Sequence, residues 1–254
     1  MREILSDLVA EQQSLDQFLQ RVHEREWKLP TPAKGWTIHD TVSHLAAAES
    51  FSAIAITSGR DFDVPGTVGD VQAWIDAGVA EGRKKRYQAV IEWWRNGRAD
   101  VVDALSRMEG TDRVPWLYST MSAKTFATVR LMETWAHGLD IKAAMNGRIV
   151  LDEDEEDPDT DTPRLRHVAW LTHRLLPYAF EQAGEPYPAE GIRVQLMGPR
   201  YTSYVYGPEH TDNTIKGTAT DFCRVAVHRL DVADTGLKAI GDGAETALRL
   251  LRAY

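Results

Sequence analysis

The chain of 254 residues is 43% hydrophobic and 26% charged, the balance of an ordinary globular protein, which excludes a disordered, collagen-like or disulfide-stapled chain. Its formal net charge is −9, and the eight acids of Asp152–Thr162 (DEDEEDPDTDT, with no base) carry nearly all of it, so nothing points to a phosphate-binding surface for nucleic acid. No apolar run nears the roughly 20 residues of a spanning helix, the opening MREILSDLVAEQQSLDQF lacks the apolar stretch of a secretory leader, and the lone Cys223 can form no internal disulfide, which fits a reducing cytoplasm.

The first predicted element is an amphipathic helix. Ile4, Leu8, Leu15, Phe18, Leu19 and Val22 fall on one stripe at three- and four-residue steps. KLPTPAKGW then interrupts it, because Pro30, Pro32 and Gly35 do not continue a helix. Thr37 is a good N-cap, with Asp40 three residues on as an acidic capping box, and a second helix runs from there to Ser58 or Gly59. After a longer connection near 60–80, Tyr87, Val90, Ile91, Trp94, Val101, Leu105 and Met108 mark a third. A fourth opens near Ser122 and stops at Asn146-Gly147. Four such helices predict a four-helix bundle over 1–150.

The acidic run, with Pro158 inside it and Pro163 just after, predicts an exposed linker over 151–163. Beyond it, 164–254 reads as an α+β domain. Arg164 to Ala183 has a helical period with Pro177 inside. IRVQLMG, RYTSYVYG and NTIKGTAT alternate apolar and polar residues as antiparallel strands do, and helices around Asp221–Arg229 and Asp242–Ala253 close the chain.

The sharpest chemical signal lies in the fourth helix, LMETWAHGLDI. Glu133 and His137 are four apart, so their side chains leave one face a turn from each other, and Asp140 lies three further along the same side. His44, in DTVSHLAAAES, faces inward by period on the second helix. Two histidines and a carboxylate from two bundle helices suit a divalent transition metal, and three protein ligands leave positions open for water or substrate. The plainer reading is a surface Glu–His pair and a hydrogen-bonded core histidine. His39 is expected at the surface. The basic run Gly82–Arg86 reads as a solvated helix end. Cys223, Trp93, Trp94 and Trp135 read as core, the tryptophans also as pocket wall.

GWTIHDTVSHLAAAE followed by ETWAHGLDI resembles the DinB-like metal-binding bundle superfamily. More closely, it is similar to the mycothiol-dependent maleylpyruvate isomerase family and its actinobacterial relatives. Gly35-Trp36-Thr37 and His44 match the family's opening motif, and Glu133 with His137 match its late helix. GTATDFCRVAVHR followed by IGDGAETAL resembles the family's C-terminal module, akin to sterol-carrier-like α+β domains. The resemblance implies a divalent metal on His44, Glu133 and His137, zinc first and nickel or iron as alternatives, and mycothiol as a low-molecular-weight thiol co-substrate. A thiol bound to zinc ionises at neutral pH and attacks an electrophile.

The expected protein is therefore a cytoplasmic enzyme, monomer or homodimer, carrying out thiol-dependent isomerisation or transfer on a small electrophilic substrate, with no nucleic-acid or membrane partner. Asp140 is expected to orient His137 through its remaining ring nitrogen. Arg229, where the family has a conspicuous arginine, is expected to grip a carboxylate of substrate or thiol; a helix C-terminal arginine favourable to the dipole is the plainer reading. The rival functions are a metal-assisted hydrolase, a non-haem iron oxygenase, and a non-catalytic metal- or small-ligand-binding protein.

Overall fold

The computed structural model describes residues 1–59, 62–63, 68–117, 119–149 and 161–253. The chain divides into two compact units, Met1–Asp159 and Thr160–Tyr254. Of the expected linker, only Asp161, Thr162 and Pro163 are among the described residues.

In the first unit, helix α1 (Arg2–Gln20) buries Ile4, Leu8, Leu15, Phe18 and Leu19, the stripe read from the sequence. The proline-rich segment after it folds back on itself. Thr31 N–H donates to the Trp36 carbonyl at 2.9 Å and Trp36 N–H to the Ala33 carbonyl at 3.0 Å. Gly35 makes that turn at φ +83°, where a side chain is strained. Helix α2 (Ile38–Ser58) opens on the expected capping box. Asp40 N–H donates to Thr37 Oγ1 at 3.2 Å, and Thr37 N–H donates back to Asp40 Oδ2 at 3.0 Å.

The connection near 60–80 contains a helix the sequence reading did not give, α3 (Val68–Arg83). It packs along α2 at very close range: a Cβ on Gly82 would lie 2.0 Å from Ser43 Oγ. The interior glycines Gly78 and Gly82 lower the helix propensity of the segment. The basic run therefore ends α3 rather than opening the next helix. Arg83 forks onto Asp40 at 2.8 and 3.2 Å, while Lys84 and Lys85 pair with Glu81.

Helix α4 (Tyr87–Ser106) buries Val90, Ile91, Trp94, Val101 and Leu105. A short antiparallel pair, β1 (Arg113–Trp116) and β2 (Ser119–Ser122), was also not foreseen. It delivers the chain to α5 (Ala123–Met145), which starts on the Ser122 cap and stops at Asn146 in the left-handed region, both as expected. α2 packs against α3, α4 and α5, and α1 against α4 and α5. Phe18, Leu19, Trp27, Val42, Leu45, Trp94 and Ile141 meet in one core.

The second unit opens with α6 (Leu165–Ala183), with Pro177 inside it. Strands β3 (Arg193–Met197), β4 (Ser203–Tyr206), β5 (Thr214–Thr218) and β6 (Lys238–Ile240) form a sheet in the order β4-β3-β5-β6. β3 and β5 run parallel, a correction to the all-antiparallel expectation. The alternation of side chains is the same in either direction, so it carries no orientation. Val194, Leu196, Tyr204 and Ile215 turn inward beneath α6, α7 (Ala219–Ala226) and α8 (Asp242–Leu250). Among the described residues, no helix is long and apolar enough to cross a membrane.

Candidate metal centre

Helix α5 is buried on several sides, so its polar residues must find partners inside the unit. Thr128 and Thr134 do so locally, donating to the carbonyls of Lys124 and Arg130 at 2.9 Å each. Glu133 and His137 instead meet His44 from α2. Glu133 Oε2 lies 3.5 Å from His44 Nε2 and 3.6 Å from His137 Nε2. One donor atom from each residue falls within 4.8 Å of the others. The two imidazole centroids are 5.0 Å apart, edge to face.

Burial pulls the His44 imidazole down despite the Glu133 hydrogen bond, so the ring is held neutral with a lone pair to offer. Burial pushes the Glu133 carboxyl up, but hydrogen bonds from His137 and His44 outweigh it and hold the group well below its usual range. For His137, burial is overcome by hydrogen bonds to Asp140 and Glu133, and its affinity for a proton rises. His137 Nδ1 donates to Asp140 Oδ2 at 3.1 Å, which fixes the tautomer that leaves Nε2 toward Glu133.

Two nitrogens and one anionic oxygen converging in a largely buried place fit a borderline divalent cation. His44 Nδ1, buried and with no hydrogen-bond partner among the described residues, leaves its ring orientation to the opposite nitrogen. His44, Glu133, His137 and Asp140 are thus brought together as the spacing and resemblance led us to expect.

The sequence reading named Trp36 only as part of the opening motif and did not single out Arg130, yet both stand beside the site. Trp36 stands with its ring 5.0 Å from His44 and 6.0 Å from His137, an apolar wall against both imidazoles. Arg130, one turn before Glu133 on α5, pairs with Glu49 of α2 at 3.4 Å, both fully enclosed. A charged residue inside AAAESFSAIAI and an arginine inside TVRLM were the available signals.

The other candidates have plainer surroundings. Arg229 belongs to the second unit, where α7 ends in a Schellman motif: His228 takes φ +56°, its N–H donates to the Val225 carbonyl at 2.9 Å, and Arg229 N–H donates to the Arg224 carbonyl at 2.8 Å. The Arg229 guanidinium donates to the Val227 carbonyl. Cys223 is buried, with burial pushing its thiol up, and donates to the Leu165 carbonyl at 3.6 Å. His39 is half-buried rather than exposed, its Nε2 donating to the Lys85 carbonyl at 3.1 Å.

Residues 8–142 match the model of the mycothiol maleylpyruvate isomerase N-terminal domain. The chain belongs to that family. All of His44, Glu133, His137 and Asp140 lie inside the matched span. Two relatives, each described as an uncharacterized protein of Mycobacterium tuberculosis, are 30% identical over 252 residues, covering 98% of this chain and 94% of theirs. The fold is similar to crystal structures of the mycothiol-dependent maleylpyruvate isomerase and of a histidine-to-alanine mutant of it. The TM-score is 0.61 in each case, with 17% identity over 94% of this chain and 92% of that one.

Proposed function

We propose that the protein is a metal-dependent enzyme that uses mycothiol, or a closely related low-molecular-weight thiol, to isomerise or conjugate a small electrophile. The observation that carries this reading is the convergence of His44, Glu133 and His137, backed by Asp140, in a chain of the mycothiol maleylpyruvate isomerase N-terminal domain family. Zinc is the first choice of metal, with nickel or iron as alternatives. Bound there, the cation would supply the Lewis acidity that lets a thiol lose its proton at neutral pH.

The chain's own residues do the rest. Burial keeps His44 from taking a second proton, so freeing Nε2 for a metal would ask only that its single proton sit on Nδ1. Glu133 brings the negative charge. Asp140 holds the proton of His137 at Nδ1, leaving the opposite nitrogen for the metal. Trp36 keeps water from one side of both rings. Cys223 is a poor source of the sulfur, since it is buried in the second unit and burial opposes its ionisation, so the thiol is imported. For Arg229 we keep the role of gripping a carboxylate of substrate or thiol, on the strength of the resemblance alone; Arg229→Ala is then expected to weaken that binding and leave the metal in place. We likewise read the first unit as a DinB-like four-helix bundle of α1, α2, α4 and α5, to which α3 is added, and the second as a sterol-carrier-like module.

The deciding experiment uses cobalt in place of the native metal. Adding mycothiol should raise an intense sulfur-to-metal charge-transfer band in the near ultraviolet, and Cys223→Ala should leave that band unaltered. A cobalt spectrum that responds neither to mycothiol nor to any simple thiol overturns the thiol-dependent reading in favour of a hydrolase or a binding protein.

A further inference from the structure

The buried pair Glu49–Arg130 has no part in the chemistry described so far. Glu49 is 0% exposed and Arg130 1%. One hydrogen bond joins them, from Arg130 Nε to Glu49 Oε1 at a long 3.4 Å. Arg130 Nη2 and Glu49 Oε2 are buried with no hydrogen-bond partner among the described residues. A guanidinium and a carboxylate are built to meet through two parallel hydrogen bonds, and this pair makes one poor one. Such an arrangement stabilises a fold weakly: the desolvation penalty of two ions is large, and an apolar pair of similar volume commonly serves as well or better. The pair is better explained by its charges than by its contacts.

Those charges lie next to the triad. Arg130 precedes Glu133 by three positions on α5, so the two are neighbours on one face of the helix. Its positive charge reaches both His44 and Glu133. In a water-poor interior that charge opposes any cation held by those residues. Arg130 also stands over the Trp116 ring, 5.6 Å from its centroid, a contact that ties α5 to β1 and gives the arginine a packing role of its own. Glu49 is the acid placed directly against it. Burial pushes the Glu49 carboxyl up, while the charge and hydrogen bond of Arg130, and more weakly the charge of Arg98 of α4, itself paired with Asp16 of α1, favour its ionised form.

We propose that Glu49 is the charge-compensating residue of the metal centre: it neutralises Arg130 inside the unit, so that His44, Glu133 and His137 can hold a divalent cation beside a buried guanidinium. This rests on the reading of those three residues as metal ligands. Glu49 acts through Arg130 and touches neither metal nor substrate.

The test is zinc affinity of the metal-free full-length protein, measured by competition with a chromophoric chelator and accompanied by far-ultraviolet circular dichroism. Glu49→Gln leaves the guanidinium uncompensated and is expected to weaken zinc binding by roughly ten- to a hundredfold, the range for loss of a residue supporting a ligand set. Arg130→Met alone should bind zinc at least as tightly as the parent. Glu49→Gln combined with Arg130→Met should return affinity to near the parent value. A merely structural pair gives a different pattern, with Arg130→Met weakened as well as Glu49→Gln, since either change leaves one buried charge unpaired. Parent-like affinity in Glu49→Gln, or a double variant no better than Glu49→Gln, overturns the proposal. Should Glu49→Gln fail to fold, a loss of zinc affinity in Arg130→Met still overturns it. Absence of stoichiometric zinc in the parent protein is a different result, which removes the metal reading itself and this proposal with it.

Discussion

Glu133 presents a single carboxylate oxygen to two imidazoles, at 3.5 and 3.6 Å, and each ring reaches it through Nε2. The members of such a set are not interchangeable with Asp140, which meets His137 at the far nitrogen of the ring. Hence His44→Ala, Glu133→Ala and His137→Ala should each lose stoichiometric metal in elemental analysis while keeping a helical circular dichroism spectrum. Asp140→Asn should keep a full equivalent of metal but hold it roughly ten- to a hundredfold more weakly. Full occupancy in His137→Ala would sink the ligand assignment. Spacing made Glu133, His137 and Asp140 readable, because residues three and four apart on one helix are neighbours wherever the helix lies. From its own stretch His44 was readable as inward-facing, and the resemblance named it a ligand. Glu49 and Arg130 were not, since their pairing joins α2 to α5, and nothing in either local stretch says which buried charge will face which.

Among the elements, the start of α2 matters most, because it sets the direction in which His44 and Trp36 enter the site. Its cap is tied on two sides. Thr37 donates to Asp40 from its N–H and hydroxyl, and Arg83 at the end of α3 forks onto the same carboxylate. Burial pushes the Asp40 carboxyl up, but the Arg83 and Thr37 hydrogen bonds outweigh it and leave the group below its ordinary value. A carboxyl depressed in the folded state stabilises the fold above its unfolded pKa, about 3.9, and that stability is lost as pH falls through the lower folded value. Chemical denaturation from pH 7 down to pH 2 should therefore show an acid-side decline in the parent that is shallower in Asp40→Asn. Gly82→Ala tests the same junction by sterics. Its Cβ would lie 2.0 Å from Ser43 Oγ, so α3 must shift from α2, with an expected loss of about 1–3 kcal/mol in denaturant titration. The helices with broad apolar stripes, α1 and α4, and those with clear caps, α2 and α5, could be read from the sequence. α3 was hidden because the glycines that let it approach α2 are themselves signals against a helix.

For the molecule as a whole, the change from helical period to strand alternation was readable, and so was the concentration of charge between Asp152 and Thr162. The parallel pairing of β3 with β5 was not, because neighbouring strands are chosen by long-range packing rather than by any local pattern. The basic run Gly82–Arg86 shows the same limit. Arg83, Lys84 and Lys85 turn back onto Asp40 and Glu81, so much of a stretch read as a solvated helix end is matched from within.

The proposed ligand set is drawn from α2 and α5, and the chain between those helices includes α3, α4 and the β1-β2 pair. A cation held there would act as a removable cross-link that closes this long stretch into a ring. In the unfolded chain, closing so long a loop is entropically unfavourable, and binding only to the folded form draws the equilibrium toward it. Melting temperature should then depend on free metal concentration, rising with added zinc and falling when a chelator is added in excess. In differential scanning calorimetry of the full chain, a melting profile indifferent to zinc and chelator would mean that the two helices are held together without it.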